Sequence, residues 1–260
     1  MTIDIGGMAI AVRNQSPGFR ELLASRYAGF IRPDSQPRLE LSVDLFEPSG
    51  WDRADEDVTV KRTGREWHIQ RGDFSARWDL DAGKGSVRQT ANPYAIDSAL
   101  RIAHSLLLAE EGGFLVHAAS AIRNRRAFLF AGASGAGKTT ISHLAPSEVS
   151  LLTDEVSYIR RQFDGYYAYG TPFAGELARA GENESAPLKT LFLLAKGPEN
   201  RVEEVEKTEA VRSLLSNILF FAEDQELVAK VFHSACQFAD QVPVRRLIFV
   251  ANKSVWEIIR

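Results

Sequence analysis

Residues Gly132–Thr139 have the composition and spacing of a phosphate-binding loop. Their sequence, GASGAGKT, matches the pattern G-x-x-x-x-G-K-[ST] at every constrained position. Glycines in such a loop let the backbone curl, so that successive N–H groups point at phosphate oxygens. Lys138 is expected to reach the β- and γ-phosphates of a nucleotide, and the Thr139 hydroxyl is expected to hold Mg²⁺. The predicted nucleotide-binding residues are Gly132, Ser134, Gly135, Ala136, Gly137, Lys138, Thr139 and Thr140.

An acidic pair follows this loop. The apolar run Val149–Leu152 leads through Thr153 into Asp154 and Glu155, as in a Walker B strand, and Asp154 lies 16 residues after Lys138. Asp154 could accept or orient the proton of an acceptor hydroxyl. Both carboxylates could bind Mg²⁺, which prefers oxygen ligands. A pair that only holds the metal, with no base role, is the open alternative.

The elements on either side of the loop are those that would position it. Arg126–Ala131 is a short apolar run of strand type, and Thr140–Leu144 can begin a helix. The positive end of that helix dipole favours the same negative charge as the loop amides. A chance match in a Gly-rich turn would not require strand, loop and helix in this order.

Other P-loop classes lack their signatures in this sequence. The chain has no LSGGQ-like signature, and the acidic strand of ABC-type ATPases comes much later than Asp154 does here. The N-K-x-D motif with which GTPases read the base is incomplete, because Asn252-Lys253-Ser254 is followed by Val255 where Asp should stand.

The chain resembles the HPr kinase/phosphorylase family, and more closely its smaller relatives, some of which accompany peptide-modifying gene clusters. The resemblance covers roughly residues 112–195 and rests on four pieces in the same order: the His117 strand, the Gly132–Thr140 loop, the Asp154-Glu155 pair and the Gly170–Glu176 loop. It implies that His117 lies in the active site, that Asp154 acts in proton transfer with a seryl hydroxyl, and that Mg²⁺ lies near Thr139. The catalytic candidates are then Asp154, Lys138 and His117, and the metal candidates are Thr139, Glu155 and Asp154.

Two positions differ from bifunctional HPr kinases. Those enzymes usually carry two Asp where this chain has Asp154-Glu155, and a Glu-x-Arg-Gly signature where this chain has Gly170–Glu176. HPr as the substrate and reverse phosphorolysis are therefore not predicted. The Gly170–Glu176 loop is a candidate acceptor-binding lip. His117 could also be a structural residue at the end of an apolar strand, and Arg179 could neutralise phosphate or face water.

Composition limits the class of protein. A chain of 260 residues, 45% hydrophobic and 25% charged, is long enough for one large core or two smaller ones. The net charge is −3 and the basic residues are scattered along the sequence, which does not favour nucleic acid as a partner. Cys236 is the only cysteine, and the first residues lack a signal-peptide pattern, so a reducing cytoplasm is expected. No apolar run approaches the ~20 residues of a spanning helix, so no membrane partner is expected.

Periodicity predicts two domains. Short alternating runs from Val58 to Gln89 predict an antiparallel meander, and helical spacing predicts helices over residues 96–107, 211–222 and 227–238. With a boundary at Asn92-Pro93, we expect an α+β accessory domain over residues 1–91. An α/β P-loop kinase domain of the HPr kinase / PEP carboxykinase type would follow over residues 92–260.

The resemblance implies ATP-dependent transfer of the γ-phosphate to a seryl hydroxyl of a protein or peptide. A nucleotide-binding regulatory or scaffold protein that transfers no phosphate is an alternative, and a small-molecule kinase is another. A homo-oligomer is left open by the sequence.

Overall fold

A computed structural model of the chain describes residues 1–47, 56–173, 175 and 180–260. It shows a mixed α/β protein with two sheets and few helices. Contacts between Cα atoms divide the chain into two units, one of Met1–Leu107 with Phe220–Val228 and the other of Leu108–Leu219 with Ala229–Arg260. The boundary expected at Asn92 stays a prediction about independently folding domains.

The first unit is built on a mixed sheet. Its strands are β1 (Thr2–Ile5), β2 (Met8–Arg13), β3 (Pro37–Leu45), β4 (Thr59–Thr63), β5 (Glu66–Arg71), β6 (Phe74–Asp79) and β7 (Lys84–Gln89). Over the described residues they form one seven-stranded sheet in the order β1-β2-β3-β7-β6-β5-β4. Strands β4 to β7 pair antiparallel in chain order, which confirms the predicted meander. Strand β3 pairs parallel with both β2 and β7.

Alternation along these strands separates a buried face from a polar one. Trp67 and Ile69 of β5, and Phe74, Ala76 and Trp78 of β6, are buried, while the residues between them are more exposed. This is the pattern of an antiparallel sheet with one face against a core and the other in water.

The helices are α1 (Pro17–Arg26), α2 (Pro93–Glu110), α3 (Lys138–His143), α4 (Lys207–Leu215), α5 (Gln225–Gln241) and α6 (Val255–Ile258), with a 3₁₀ turn at Ala28–Phe30. Helix α1 begins after Ser16, whose hydroxyl accepts a hydrogen bond from the Phe19 N–H, and has Pro17 in its first turn. None of the helices in the described ranges is long and apolar enough to cross a membrane.

The helix predicted over residues 211–222 is wrong in its second half. Helix α4 ends at Leu215, and Ile218–Leu219 form a short strand, β15, that pairs with Val116 and Leu115. The Asn217 carbonyl accepts a hydrogen bond of 2.7 Å from the His117 N–H. Pairing with a neighbouring strand therefore prevails over the local helical spacing of apolar residues.

The second unit contains the remaining strands. They are β8 (Phe114–Arg123), β9 (Arg126–Ala131), β10 (Ser150–Thr153), β11 (Val156–Gln162), β12 (Gly165–Tyr169), β13 (Ser185–Lys196), β14 (Arg201–Glu204), β15 and β16 (Val244–Phe249). Within the described part of the chain they make one nine-stranded sheet. Strand β9 pairs antiparallel with β8 and parallel with β13, and β13 pairs parallel with β16.

Apolar clusters cover both faces of this second sheet. Successive residues of β9 alternate between them: Leu129 belongs to the cluster that includes Leu214 and Phe238, while Phe128 and Phe130 belong to the other. In the second cluster, Phe130 packs edge-on against Trp256, with ring centroids 5.6 Å apart. Strand β9 is thus fixed from both sides before the chain enters the glycine-rich loop.

Candidate active site

Strand β8 brings the glycine-rich loop and the acidic pair to the same level of the sheet. On one side, Ala118 pairs with Ala131, the last residue of β9 before the loop. On the other side, Ser120 pairs with Thr153 and His117 pairs with Val156. Asp154 and Glu155 lie between those two pairs, where β10 gives way to β11 along the same strand.

Two details of the strand arrangement bear on the site. The strand that leads into Asp154, β10, does not lie beside the loop strand: it pairs antiparallel with β8, which separates it from β9. His117 is also not at the end of a strand, because β8 continues to Arg123. Asp154 and Glu155, between β10 and β11, nevertheless line the same cavity as the loop. Only one strand, β8, separates β10 from β9, and neighbouring strands in a sheet are about 5 Å apart.

The glycine-rich loop has the backbone that its sequence predicts. Gly137 has a φ of 112°, a value that side-chain-bearing residues rarely adopt, and a Cβ there would lie 2.6 Å from the ring of Phe249. Both observations require glycine at this position. Helix α3 follows directly, and the Trp256 indole N–H donates to the Ile141 carbonyl at 3.1 Å, which ties α6 to this helix.

Lys138 folds back over its own loop. It is buried, and its Nζ donates to the carbonyl oxygen of Gly132 at 3.0 Å and to that of Ala133 at 3.5 Å. Two partners of the ammonium group are therefore neutral carbonyl groups of the loop. An anionic phosphate oxygen is a stronger partner for it than a peptide carbonyl.

Asp154 is a buried carboxylate with a defined orientation. It is 7% exposed, and its Oδ1 accepts a hydrogen bond of 3.1 Å from the N–H of Gly175. The turn that carries it is shaped by the Thr153 hydroxyl, which accepts hydrogen bonds from the N–H groups of Glu155 and Val156, each at 3.2 Å. The direction of the Asp154 side chain is thus set by two neighbouring segments.

The segment after β12 lies against the acidic turn. Thr171 is buried, its N–H donates to the Leu152 carbonyl at 3.2 Å, and its hydroxyl donates to the Val156 carbonyl at 2.8 Å. Gly175 approaches so closely that a Cβ on it would lie 2.8 Å from Oδ2 of Asp154. Of the loop predicted over Gly170–Glu176, Ala174 and Glu176 lie outside the described residues, as does Arg179.

One cavity of about 620 Å³ collects these groups. It is lined by His117, Ser134, Gly135, Gly137, Lys138, Thr139, Thr140, Asp154, Glu155, Gly175 and Lys196. Its volume lies within the ~300–1,000 Å³ common for small-molecule sites. Two lysines, two carboxylates and one histidine therefore face a single space of ligand size.

A comparison with known protein families gives a match over the part of the chain that contains this cavity. The profile of the family described as SynChlorMet cassette protein ScmC matches residues 95–260, more than half of the chain. The chain belongs to the ScmC family. Every residue that lines the cavity falls inside the matched part. A search of curated proteins found no match.

Most of the predicted site residues of this ScmC family member meet in the cavity. His117, Lys138, Thr139, Asp154 and Glu155 line it together with three further residues of the loop and Thr140. Gly132 and Ala136 do not belong to its lining and lie next to each other within the loop. No group of three or more His, Cys, Asp or Glu side chains suited to a metal ion occurs within the described ranges.

Two lining residues were not singled out from the sequence. Lys196 is the last residue of β13, which runs parallel to β9, so that both strands end at the same edge of the sheet. A lysine directly after the largely apolar run over residues 188–195 was a usable signal, because ligands bind at the carboxyl ends of parallel strands. Gly175 lay in the predicted lip, but its close approach to Asp154 has no sequence signature.

Proposed function

We propose that the chain is an ATP- and Mg²⁺-dependent kinase that transfers the γ-phosphate to a seryl hydroxyl of a protein or peptide. The observation that carries this proposal is the convergence of Lys138 and the acidic pair Asp154-Glu155 on one cavity. Phosphoryl transfer needs positioned cations around the phosphate and an acceptor hydroxyl held in line, with little covalent chemistry from the protein. The cavity contains cations for the phosphate, Lys138 and Lys196, and carboxylates that can orient an acceptor hydroxyl.

The residues present fit Mg-ATP. The loop supplies N–H groups and the Lys138 ammonium for phosphate oxygens, and the cavity is wide enough for a nucleotide phosphate tail. Thr139 and Glu155 would hold Mg²⁺, which commonly takes only one or two protein oxygens and keeps several waters. When bound, ATP supplies the phosphoryl group and Mg²⁺ reduces its negative charge. Lys196 adds a second cation at the same edge.

Asp154 is assigned the role of accepting or orienting the proton of the seryl hydroxyl. Its Oδ1 accepts a hydrogen bond from the Gly175 N–H. Gly175 has no side chain, so it does not crowd Oδ2 of Asp154. A buried carboxylate held in one orientation is suited to general-base assistance. His117 of β8 pairs with Val156 of β11 and lines the same cavity, where it can hold the acceptor or share its proton.

The fold proposed for the second unit is a P-loop kinase fold of the HPr kinase / PEP carboxykinase type. It is supported by the order of strand β9, glycine-rich loop and helix α3, and by the parallel set β9, β13 and β16. The proposed setting is the cytoplasm, where ATP occurs together with reduced thiols such as that of Cys236.

The experiment that tests the proposal compares wild type with Asp154→Asn. Transfer from γ-labelled ATP is measured to Ser-containing peptides, starting with those encoded in the same gene neighbourhood, and Mg-ATP affinity is measured by calorimetry on both proteins. Asn keeps the shape and the hydrogen bond to Gly175 but cannot take a proton. We expect unchanged ATP affinity and a loss of transfer by ~10² to 10⁴.

Two results would contradict the proposal. If affinity for Mg-ATP and turnover fall together in Asp154→Asn, the carboxylate serves only the metal. If wild type binds ATP tightly and labels no acceptor in the whole set of neighbouring gene products, a nucleotide-dependent regulatory or scaffold protein becomes the better assignment.

A further inference from the structure

The polar face of the first sheet carries a second cavity, of about 530 Å³, that the proposed kinase site does not use. Strands β3 to β7 form its floor. The charged residues of its lining are Asp44, Lys61, Arg77 and Arg88, together with His68. All five are exposed, and all lie in the first unit.

Strand pairing gathers positive charge that is scattered in the sequence. Lys61 pairs with His68, and His68 pairs with Arg77, so these three side chains form one row across β4, β5 and β6. Arg88 pairs with Ser75, two residues from Arg77, and therefore lies diagonally across from it, about 7–8 Å away. Three permanent cations thus face one carboxylate, Asp44, on a chain whose net charge is −3.

The local partners of these cations are weak. Arg77 donates from Nε to the Ser86 hydroxyl at a long 3.4 Å, and the Arg88 guanidinium lies 5.1 Å from the centre of the Phe46 ring. Neither arginine forms an ion pair with any residue in the part of the chain that the structure describes. Both guanidinium groups can therefore accept a bidentate carboxylate without breaking an ion pair to any described residue.

The next row of the same face carries two carboxylates and one lysine. Glu66 pairs with Asp79, and Asp79 pairs with Lys84. The carboxylates of Glu66 and Asp79 therefore lie on one side of the cationic band, the group formed by Lys61, Arg77 and Arg88. A long nucleic-acid backbone, with continuous negative charge, would be repelled by that row. A short extended peptide fits better, because its alternate side chains are about 6.5–7 Å apart and so match the diagonal between Arg77 and Arg88.

We propose that this sheet face binds an acidic peptide segment in extended conformation, with carboxylates at alternate positions contacting Arg77 and Arg88. This inference goes beyond the kinase proposal and does not depend on phosphoryl transfer, since no residue of the ATP-binding cavity takes part.

The test is fluorescence anisotropy with the full-length protein at low salt. The probe is a labelled peptide of alternating Glu and Thr, compared with the same peptide carrying Gln in place of Glu. Arg77→Gln/Arg88→Gln should weaken binding of the Glu peptide roughly tenfold. Arg20→Gln/Lys253→Gln removes the same charge from exposed positions elsewhere and should change affinity by less than about twofold. Thermal unfolding of all variants verifies that they are folded.

Three outcomes would overturn the inference. Wild type could fail to bind the Glu peptide, or bind the Gln peptide equally well. The control pair could lose as much affinity as the sheet-face pair, which would mean attraction to overall charge. A single-stranded oligothymidine could bind more tightly than the peptide with the same loss in Arg77→Gln/Arg88→Gln, which would make the face a nucleic-acid site.

Discussion

Replacement of Gly175 by alanine is expected to slow phosphoryl transfer more than it weakens nucleotide binding. A Cβ at this position would lie 2.8 Å from Oδ2 and 3.0 Å from Cγ of Asp154, and 2.8 Å from Cβ of Glu155. Comfortable contacts between such atoms are about 3.5 Å. The carboxyl of Asp154, or the backbone N–H that orients it, must therefore retreat by roughly half an ångström or more.

The size of the effect follows from how sensitive the reaction is to that displacement. A misplacement of ~1 Å can cost about 10²-fold in rate, so half of it should cost about tenfold in kcat, or about 1.4 kcal/mol of transition-state stabilisation. The nearest atoms to the added methyl group belong to Asp154 and Glu155, and none belongs to the glycine-rich loop. The Kd for Mg-ATP should therefore rise by a smaller factor than kcat falls, and the rise should come from Glu155, which would hold Mg²⁺.

The assay measures kcat on the acceptor found in the transfer screen and the Kd for Mg-ATP by calorimetry. Gly18→Ala is the matched control, because a Cβ there meets nothing within 4 Å. The double variant Gly175→Ala/Asp154→Asn tests whether Gly175 acts through Asp154. If it does, the kcat of the double variant should be no lower than that of Asp154→Asn alone. Wild-type turnover in Gly175→Ala, or losses that simply multiply in the double variant, would refute the reasoning.

Two further changes have expected outcomes. Lys138→Ala should weaken Mg-ATP binding by roughly tenfold to a hundredfold, because it removes the cation held at the loop. Affinity is measured by calorimetry, with Lys253→Ala as the control. Equal affinities of wild type and Lys138→Ala would contradict a phosphate site at the loop. Burial lowers the pKa of His104 from 6.5 to about 3, so the unfolded chain gains a proton between these pH values and the folded chain does not. The free energy of unfolding should fall by about 2 kcal/mol between about pH 7 and pH 5. Urea unfolding of His104→Gln should show a smaller decrease over the same pH range. An equal decrease in both proteins would exclude His104 as the source of the pH dependence.

The local elements of this chain were predictable because their signals are local. The alternation in Phe74–Leu80 and the apolar run in Arg126–Ala131 need only their own residues to indicate strands, and strands occur over Phe74–Asp79 and Arg126–Ala131. Ile218 and Leu219 show where such reasoning stops. Their spacing continues the face of α4, but they pair with Leu115 and Val116, about a hundred residues earlier in the chain, and no local pattern contains that partner.

The candidate site was predictable in its residues but not in its assembly. The motif spacing was enough to select Lys138, Asp154 and Glu155, whereas the register of β8 that brings them to one cavity depends on pairings between distant segments. The same holds for Lys196, which reaches the cavity only because β13 runs parallel to β9. The cationic band of Lys61, Arg77 and Arg88 has no sequence signature at all, because three separate strands contribute one residue each.

The contacts of Lys138 and Asp154 argue that nucleotide binding and acceptor activation are carried by separate supports. Lys138 is held by carbonyl groups of its own loop, contacts that a phosphate oxygen can replace. Asp154 is held by Gly175, on a segment pinned to the acidic turn through Thr171. These contacts come from different segments of the chain, so substitutions at Lys138 and at Asp154 should differ in their main effect. Substitutions at Lys138 should therefore act mainly on ATP affinity and those at Asp154 or Gly175 mainly on kcat, a division that a site built only to hold Mg-ATP would not produce.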